Sequence, residues 1–176
     1  METHKVIIVG PSAVGKTSLL NRFVHDEFIL KYKMTIGVDF VTKTLEYQPS
    51  KNVKLHIWDI GGQDRFKFLH RSFYEGASGA LIMFDLTRQH TFSSMKTWLS
   101  EMRSIMDKDI PKVIIGNKSD LIPEIGKIID RTDAENYAKS ESCFYMETSA
   151  KTGENVEKAF LELTQCMLSN GKQKSE

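Results

Sequence analysis

The chain has 176 residues and a nearly balanced charge, with 24 basic and 23 acidic side chains and a formal net charge of +1. That balance argues against nucleic acid as the main partner, and no apolar run approaches the ~20 residues of a membrane span. A hydrophobic content of 40% suits one ordinary core. We therefore expect one domain, residues 1–169, followed by an irregular tail, residues 170–176.

The first predicted strand, residues 4–9, leads into a loop that matches the phosphate-binding pattern G-x-x-x-x-G-K-(S/T) over residues 10–17. A helical pattern follows at residues 16–25, which completes the strand-loop-helix context that this pattern requires. Backbone N–H groups of such a loop form an anion-binding nest, and the helix adds the positive end of its dipole. Lys16 can reach the β- and γ-phosphates, and the Thr17 hydroxyl can ligate Mg²⁺. The nucleotide-binding residues predicted in this loop are Ser12, Ala13, Val14, Gly15, Lys16, Thr17 and Ser18.

The next two predicted strands, residues 38–47 and 53–59, are joined by a turn too short for a helical crossover. They are therefore expected to form an antiparallel hairpin. Asp59 ends the second strand, where a carboxylate can hold Mg²⁺, usually through water. Gly62 has no Cβ, so its N–H can approach a γ-phosphate closely. Gln63 is placed to orient an attacking water.

Strands and helices alternate along the rest of the chain. This alternation predicts an α/β fold with a mainly parallel sheet covered on both faces by helices. With the phosphate loop it indicates the P-loop NTPase type: a three-layer sandwich with a six-stranded, mostly parallel sheet, one antiparallel hairpin strand and about five helices. The remaining predicted strands are residues 78–84, 111–116 and 143–147, and the remaining predicted helices are residues 67–75, 91–106, 131–139 and 153–168.

Two polar loops at predicted strand ends carry groups that can read a base. Asn117-Lys118-Ser119-Asp120 follows one strand, at the edge where ligands bind in open parallel sheets. The Asp120 carboxylate can accept hydrogen bonds from the N1–H and 2-amino groups of guanine, which adenine lacks. Ser149-Ala150-Lys151 follows the next strand, and the Ala150 N–H could donate to guanine O6. The predicted guanine-binding residues are Asn117, Lys118, Asp120, Ser149, Ala150 and Lys151.

With these motifs in place, the chain resembles a small GTPase of the Ras superfamily, and within it one of the Rab type. The resemblance extends from about His4 to Met167. It implies a molecular switch that binds GTP or GDP with Mg²⁺ and hydrolyses GTP slowly unless an activating protein supplies an arginine. It also implies a role in vesicle or membrane traffic. The Rab-like segments are residues 36–40, 54–59, 65–66, 73–77 and 84–87.

The resemblance assigns further roles at the nucleotide. Thr35 corresponds to the threonine that contacts Mg²⁺ and the γ-phosphate, Phe28 to the aromatic residue that packs against guanine, and Tyr32 to the one that closes over the phosphates. The metal ligands implied are Thr17, Thr35 and Asp59. The catalytic residues implied are Gln63, Lys16 and Thr35.

Partners are also implied by the resemblance. The loops at residues 28–35 and 61–71 correspond to the two switches, which an exchange factor, an activating protein and effectors contact. Phe40, Trp58 and Phe73 fall where Rab proteins carry an aromatic triad that meets effectors. We expect a monomer.

The sequence departs from the family pattern at several positions. Ser12 stands where Ras proteins have glycine, and Ile60-Gly61-Gly62 differs from the usual Rab Thr-Ala-Gly. No cysteine follows Cys166, whereas Rab proteins usually end in prenylated cysteines. We therefore expect a cytoplasmic protein, peripheral on the cytosolic face of membranes only if a lipidated C-terminal segment is missing from this sequence.

Three alternatives remain open at this point. The chain could bind guanine nucleotide constitutively as a scaffold without useful hydrolysis, although Gln63 and Thr35 argue against this. It could be a P-loop ATPase or kinase, which Asp120 disfavours. It could also be a Ras-like GTPase without a role in vesicle traffic.

Overall fold

The structure, a computed structural model, describes residues 1–31, 33–126 and 128–172, with the side chains of residues 170–172 left undescribed. Within these ranges six strands form one sheet in the order β2-β3-β1-β4-β5-β6. The strands are β1 Glu2–Val9, β2 Val38–Gln48, β3 Lys51–Ile60, β4 Gly79–Asp85, β5 Lys112–Asn117 and β6 Phe144–Thr148.

The sheet is parallel except at one edge. β1 pairs in parallel with β3 on one side and β4 on the other, and β5 and β6 continue the parallel order. β2 pairs antiparallel with β3, which confirms the predicted hairpin. Because the parallel strands share one direction, their carboxyl ends meet at one edge, where open α/β sheets bind ligands.

The helices of the described residues number six rather than about five, and two 3₁₀ turns accompany them. The additional helix is a single turn, too short to give a helical hydrophobic period. The predicted helix 67–75 is in fact a 3₁₀ turn, Asp64–Leu69, followed by a short α-helix. The helices are α1 Lys16–His25, α2 His70–Tyr74, α3 Gln89–Ile105, α4 Ile122–Ile125, α5 Arg131–Ser140 and α6 Val156–Lys172, and the second 3₁₀ turn is Ser119–Leu121.

The last helix, α6, is displaced from its predicted bounds of 153–168. It ends at Lys172, so residues 170–172 continue the helix instead of starting the irregular tail. A single glycine inside a helix costs only about 1 kcal/mol, which does not stop a helix already packed on its core. Residues 173–176 lie outside the described residues.

Each face of the sheet is covered by its own hydrophobic core. Val6 and Ile8 point to the core shared with α1 and α6, where the rings of Phe23 and Phe160 stack with centroids 3.8 Å apart. Alternate β1 residues point to the other core, which includes α3 and α5. Every residue of β4 is buried, as its apolar sequence predicts. Every helix in the described part of the chain is too short or too polar to cross a membrane.

Candidate functional site

A cavity of about 470 Å³ opens at the carboxyl edge of the sheet. The phosphate loop between β1 and α1 lines it, together with the two predicted switch loops and the loops after β5 and β6. Most of the residues predicted from sequence to bind nucleotide are therefore brought together. Those that line the cavity are Ser12, Ala13, Gly15, Lys16, Thr17, Ser18, Phe28, Thr35, Gly62, Gln63, Asn117, Lys118, Asp120, Ala150 and Lys151.

Three other predicted residues lie behind the lining and contact it. The Val14 carbonyl accepts a hydrogen bond from the Asn117 side-chain amide at 2.9 Å. The Ser149 hydroxyl donates to Asp120 at 2.6 Å. Asp59 accepts a hydrogen bond from the Thr17 hydroxyl. Tyr32, also predicted here, lies outside the described residues.

The glycines that frame the phosphate loop are required by its close packing. Gly10 has φ 144°, and a Cβ there would lie 2.3 Å from the Met83 carbonyl oxygen. Gly15 has φ 99°, and a Cβ there would lie 2.3 Å from the Asn117 amide nitrogen. A side chain at Gly10 would have to displace the backbone of β4, and one at Gly15 would have to displace the Asn117 side chain. Both positions also have a positive φ that glycine adopts most readily.

Lys16 is buried inside the loop, at 6% exposure. Its ammonium donates to the carbonyl oxygens of Gly10 and Pro11, each at 2.8 Å. Burial lowers the pKa of Lys16 to about 8, and the nearby Asp59 carboxylate partly opposes that change. Because charge-assisted bonds to anions are stronger than bonds to neutral carbonyls, a phosphate would be a better partner for this ammonium.

Three oxygen-bearing side chains meet beside Lys16. The Thr17 and Thr35 hydroxyl oxygens lie 2.7 Å apart, and the Thr35 hydroxyl is 3.3 Å from Asp59 Oδ2. The other carboxylate oxygen, Asp59 Oδ1, is buried with no hydrogen-bond partner among the described residues. Burial raises the pKa of Asp59, against hydrogen bonds that lower it. Two hydroxyls and a carboxylate with an unpaired oxygen fit Mg²⁺, which prefers hard oxygen ligands.

Gln63 joins the two predicted switch loops. Its side-chain amide donates to the Thr35 carbonyl at 3.2 Å, while its Oε1 accepts from Arg65 Nε at 2.6 Å. Two of the three predicted catalytic residues are thus in direct contact.

The glycine pair before Gln63 is packed on both sides. Gly62 lies against the phosphate loop, where a Cβ would come 2.5 Å from the Ser12 nitrogen. The Gly61 N–H donates to the Gly37 carbonyl at 2.8 Å, and a Cβ on Gly61 would lie 2.7 Å from the Thr35 oxygen. The departure from the Rab pattern at Gly61 therefore permits a close backbone approach between the switch loops.

Asn117 holds three segments together at the predicted base site. Besides its bond to the phosphate loop, its Oδ1 accepts from the Thr148 hydroxyl at 2.9 Å and from the Ala150 N–H at 3.3 Å. The Ala150 N–H, expected to donate to guanine O6, is engaged with Asn117 in this structure. A further link between the base loops joins the Ser119 hydroxyl to Glu154 at 2.8 Å.

Asp85 and Arg88, which contact residues of the cavity lining, are among those not identified as site residues from sequence. Asp85 is 1% exposed at the end of β4, and it pairs with Lys118 at 2.8 Å and with Arg88 at 2.9 Å. Burial acts to raise the pKa of Asp85, but hydrogen bonds from Lys118 and Thr87 outweigh it, so the pKa lies below its ordinary value. The signal that could have found Asp85 is an acidic residue that ends an otherwise apolar strand.

The three aromatic residues predicted to meet partners form a continuous row. The ring centroids of Phe40 and Trp58 lie 6.0 Å apart, and those of Trp58 and Phe73 lie 6.5 Å apart. Phe40 is 70% exposed, whereas Trp58 and Phe73 are partly buried against the core. The Lys5 ammonium lies 3.8 Å from the centroid of the Trp58 ring.

Comparison with known proteins agrees with this geometry. The sequence model of the Ras family matches residues 5–169. Ras-related protein RABA4a of Arabidopsis thaliana is 46% identical over 156 residues, which is 89% of this chain and 68% of the relative. Ras-related protein Rab11D of Nicotiana tabacum is 44% identical over 157 residues, 89% of this chain and 69% of that relative. Rab11D of Lotus japonicus is 46% identical over 159 residues, 90% of this chain and 72% of the relative.

Proposed function

This chain belongs to the Ras family and is a GTPase, and from that premise we propose that it acts as a Rab-type switch in membrane traffic. GTP and GDP bind in the cavity at the carboxyl edge of the sheet. The phosphates lie in the loop before α1, and the base lies between the loops after β5 and β6. Effectors read the GTP state through the two switch loops.

The contact between Gln63 and Thr35 carries this proposal. It joins the two switch loops at a point beside the phosphate loop. A γ-phosphate there would contact the Gly62 N–H and the Thr35 hydroxyl together. Hydrolysis would remove that common partner, so both loops would relax at once.

The chemistry assigned to the chain is transfer of the γ-phosphoryl group to water. Gln63 Oε1 retains a second lone pair beside its bond to Arg65, and with it accepts a hydrogen bond from the attacking water. Lys16 stabilises charge on the β- and γ-phosphate oxygens. Mg²⁺, held by Thr17, Thr35 and Asp59, would neutralise the phosphate oxygens when bound.

Guanine specificity is assigned to Asp120. Its carboxylate accepts from the N1–H and 2-amino groups of the base, while Ser149 orients it from the other side. Adenine has no donor at either place, so the carboxylate would lose water without gaining these two hydrogen bonds, which is costly. Phe28, which lines the same cavity, would pack on the base.

Effectors are proposed to contact the exposed edge of Phe40 and the row that continues through Trp58 and Phe73. Exposed aromatic side chains are common anchors of protein interfaces. An exchange factor and an activating protein would contact the switch loops. The activating protein would supply an arginine to speed hydrolysis.

The experiment has two parts. Competition against a fluorescent GDP measures nucleotide choice, and the expected result is displacement by GTP and GDP but not by ATP. Single-turnover hydrolysis then compares the wild type with Gln63→Leu, which should lower the rate by about 10²-fold because an oriented catalytic group is lost. Gln165→Leu, the same change at an exposed position of α6, is the matched control and should keep the wild-type rate.

Tight GDP binding without measurable hydrolysis in either protein would contradict the proposed switch and favour a constitutive scaffold. The traffic role is tested in cells with the fluorescently tagged full-length protein. Gln63→Leu should concentrate it on one class of membrane, and Thr17→Asn should disperse it. The same uniform distribution of both variants would contradict the traffic role while leaving the GTPase activity intact.

A further inference from the structure

A buried carboxylate connects the phosphate loop to two neighbouring elements. Asp85 accepts from Arg88 Nε at 2.9 Å and from Lys118 Nζ at 2.8 Å. Both cations also donate to the carbonyl oxygen of Ala13, Arg88 at 2.7 Å and Lys118 at 2.9 Å. We refer to Asp85, Arg88 and Lys118 together as the Ala13 clamp.

The Ala13 clamp acts on a strained position. Ala13 has φ 62°, a left-handed conformation that residues other than glycine adopt only at a cost. Such a conformation persists when the surrounding structure determines it. Here two charged donors occupy both lone pairs of the Ala13 carbonyl oxygen, which fixes the direction of that carbonyl.

Fixing this carbonyl also fixes the next N–H. The peptide unit is planar and trans, so the Val14 N–H points opposite to the Ala13 carbonyl. The following carbonyl, that of Val14, is held by Asn117 in the same way, which sets the Gly15 N–H. Successive N–H groups set in this manner form the nest that holds a phosphate.

We propose that Arg88 is a positioning residue for nucleotide binding, which directs the Val14 N–H toward the phosphates by holding the Ala13 carbonyl. This inference rests on the proposed function, because it presumes that the loop holds nucleotide phosphates. Arg88 does not itself touch the nucleotide. It acts through the loop backbone.

The geometry of Arg88 suits this role better than that of another cation. Its guanidinium uses Nε for Asp85 and a terminal nitrogen for Ala13, so one rigid group spans both acceptors. A lysine at this position would present a compact charge and could not reproduce that fork. Lys118 is shared with the predicted base site, whereas Arg88 is outside the cavity lining. Arg88 can therefore be changed without altering a predicted contact to the nucleotide.

The experiment measures GDP dissociation from Arg88→Ala, Arg88→Lys and Arg103→Ala proteins, using a fluorescent GDP and excess unlabelled GDP. Arg103 is the matched control, since it lies on α3, the helix that Arg88 directly precedes, and pairs with Glu141 at the surface. Arg88→Ala should release GDP about tenfold faster, the value of one charge-assisted hydrogen bond. Arg88→Lys should fall between Ala and wild type, and Arg103→Ala should match wild type.

A second readout separates positioning from folding. GDP raises the melting temperature according to its affinity, so Arg88→Ala should show a smaller GDP-induced rise in Tm than wild type. If Arg88 were only structural, Tm would fall equally with and without GDP and the rise would be unchanged. That result, or wild-type GDP release by Arg88→Ala, would overturn the inference and leave the proposed function standing. Failure of the wild type to bind guanine nucleotide would overturn both.

Discussion

The side-chain amide of Gln63 donates a hydrogen bond to the main-chain carbonyl of Thr35 at 3.2 Å. The contact uses the Thr35 backbone, so the Thr35 hydroxyl stays beside that of Thr17, 2.7 Å away. Thr35 thus contacts Gln63 through its main-chain carbonyl and Thr17 through its hydroxyl. A change of the Thr35 side chain alone separates the two contributions.

Replacement of Thr35 tests the hydroxyl without removing the carbonyl. Thr35→Ala removes one oxygen from the group that fits Mg²⁺, whereas Thr35→Ser keeps it. We expect Thr35→Ala to raise the Mg²⁺ concentration needed for half-maximal GTP hydrolysis by about tenfold, the effect of losing one ligand contact. Thr35→Ser should stay within about threefold of wild type. Equal loss in both variants would show that the methyl group, rather than the hydroxyl, matters.

Replacement of Asp120 tests base recognition. Asp120→Asn replaces two acceptors with one acceptor and one donor, so it should weaken GDP binding by about 10²-fold or more. The new amide donor matches the 2-oxo group of xanthine, so xanthosine diphosphate should bind better than to wild type. Competition against fluorescent GDP measures both. Ser149→Ala removes the hydrogen bond that orients Asp120 and also the acceptor of the Thr152 N–H. It should weaken GDP binding by about tenfold or less.

Replacement of Gly61 tests the packing of the switch loops. The added Cβ of Gly61→Ala would lie 2.7 Å from the Thr35 oxygen and 3.1 Å from the Gly37 oxygen, and both are backbone atoms. Relief requires the loops to separate, which should lower the free energy of unfolding by about 1–3 kcal/mol. It should also slow hydrolysis, because Gln63 would lose its contact with Thr35. Urea unfolding and single-turnover assays measure the two effects, and no change in either would contradict the packing described.

The pH dependence of stability should reveal the Asp85 ion pairs. The pKa of Asp85 in the folded protein is below its ordinary value, so its contribution to stability is present above its unfolded pKa of about 3.9. It is lost as the pH falls through the lower, folded value. Asp85→Asn should therefore be less stable than wild type by about 1–3 kcal/mol at pH 7.

Urea unfolding of both proteins with excess GDP, from pH 7 downward, measures this difference. The difference should shrink as the medium becomes acid enough to protonate Asp85. Lys67 and Asp64, a more exposed ion pair, offer a control in Asp64→Asn, whose exposed carboxylate should contribute little. A difference between Asp85→Asn and wild type that is constant with pH would contradict the role assigned to the ion pairs.

The fold was largely predictable because its signals are local. The sequence alone predicts β1, β4 and β5 from their apolar runs. It also predicts the hairpin of β2 and β3 from the short turn between them. Helix α4, Ile122–Ile125, was missed because one turn contains no period to detect. The predicted helix 67–75 begins within the 3₁₀ turn Asp64–Leu69, because such turns are frequent at the ends of α-helices and carry no separate sequence period.

The candidate site was predictable where a motif defines it, and less so elsewhere. The phosphate loop and the residues after β5 could be placed from spacing. The link from Arg88 to Ala13 spans 75 positions, and no local pattern records it. The engagement of the Ala150 N–H with Asn117 was also not visible, because it depends on the distance between two loops after folding.

The central place of β1 has a consequence for how the two ends of a bound phosphate chain are held. β1 is paired on both sides, by β3 and β4. The loop that follows it is therefore attached to a strand whose hydrogen bonds break only when the whole domain unfolds. Residues 33–37, which carry Thr35, form neither helix nor strand, and such segments open at much lower free energy. Amide hydrogens should therefore exchange slowly along β1 and quickly around Thr35. A ligand that contacts both regions should slow amide exchange around Thr35 when it binds, while exchange along β1 stays slow with or without the ligand.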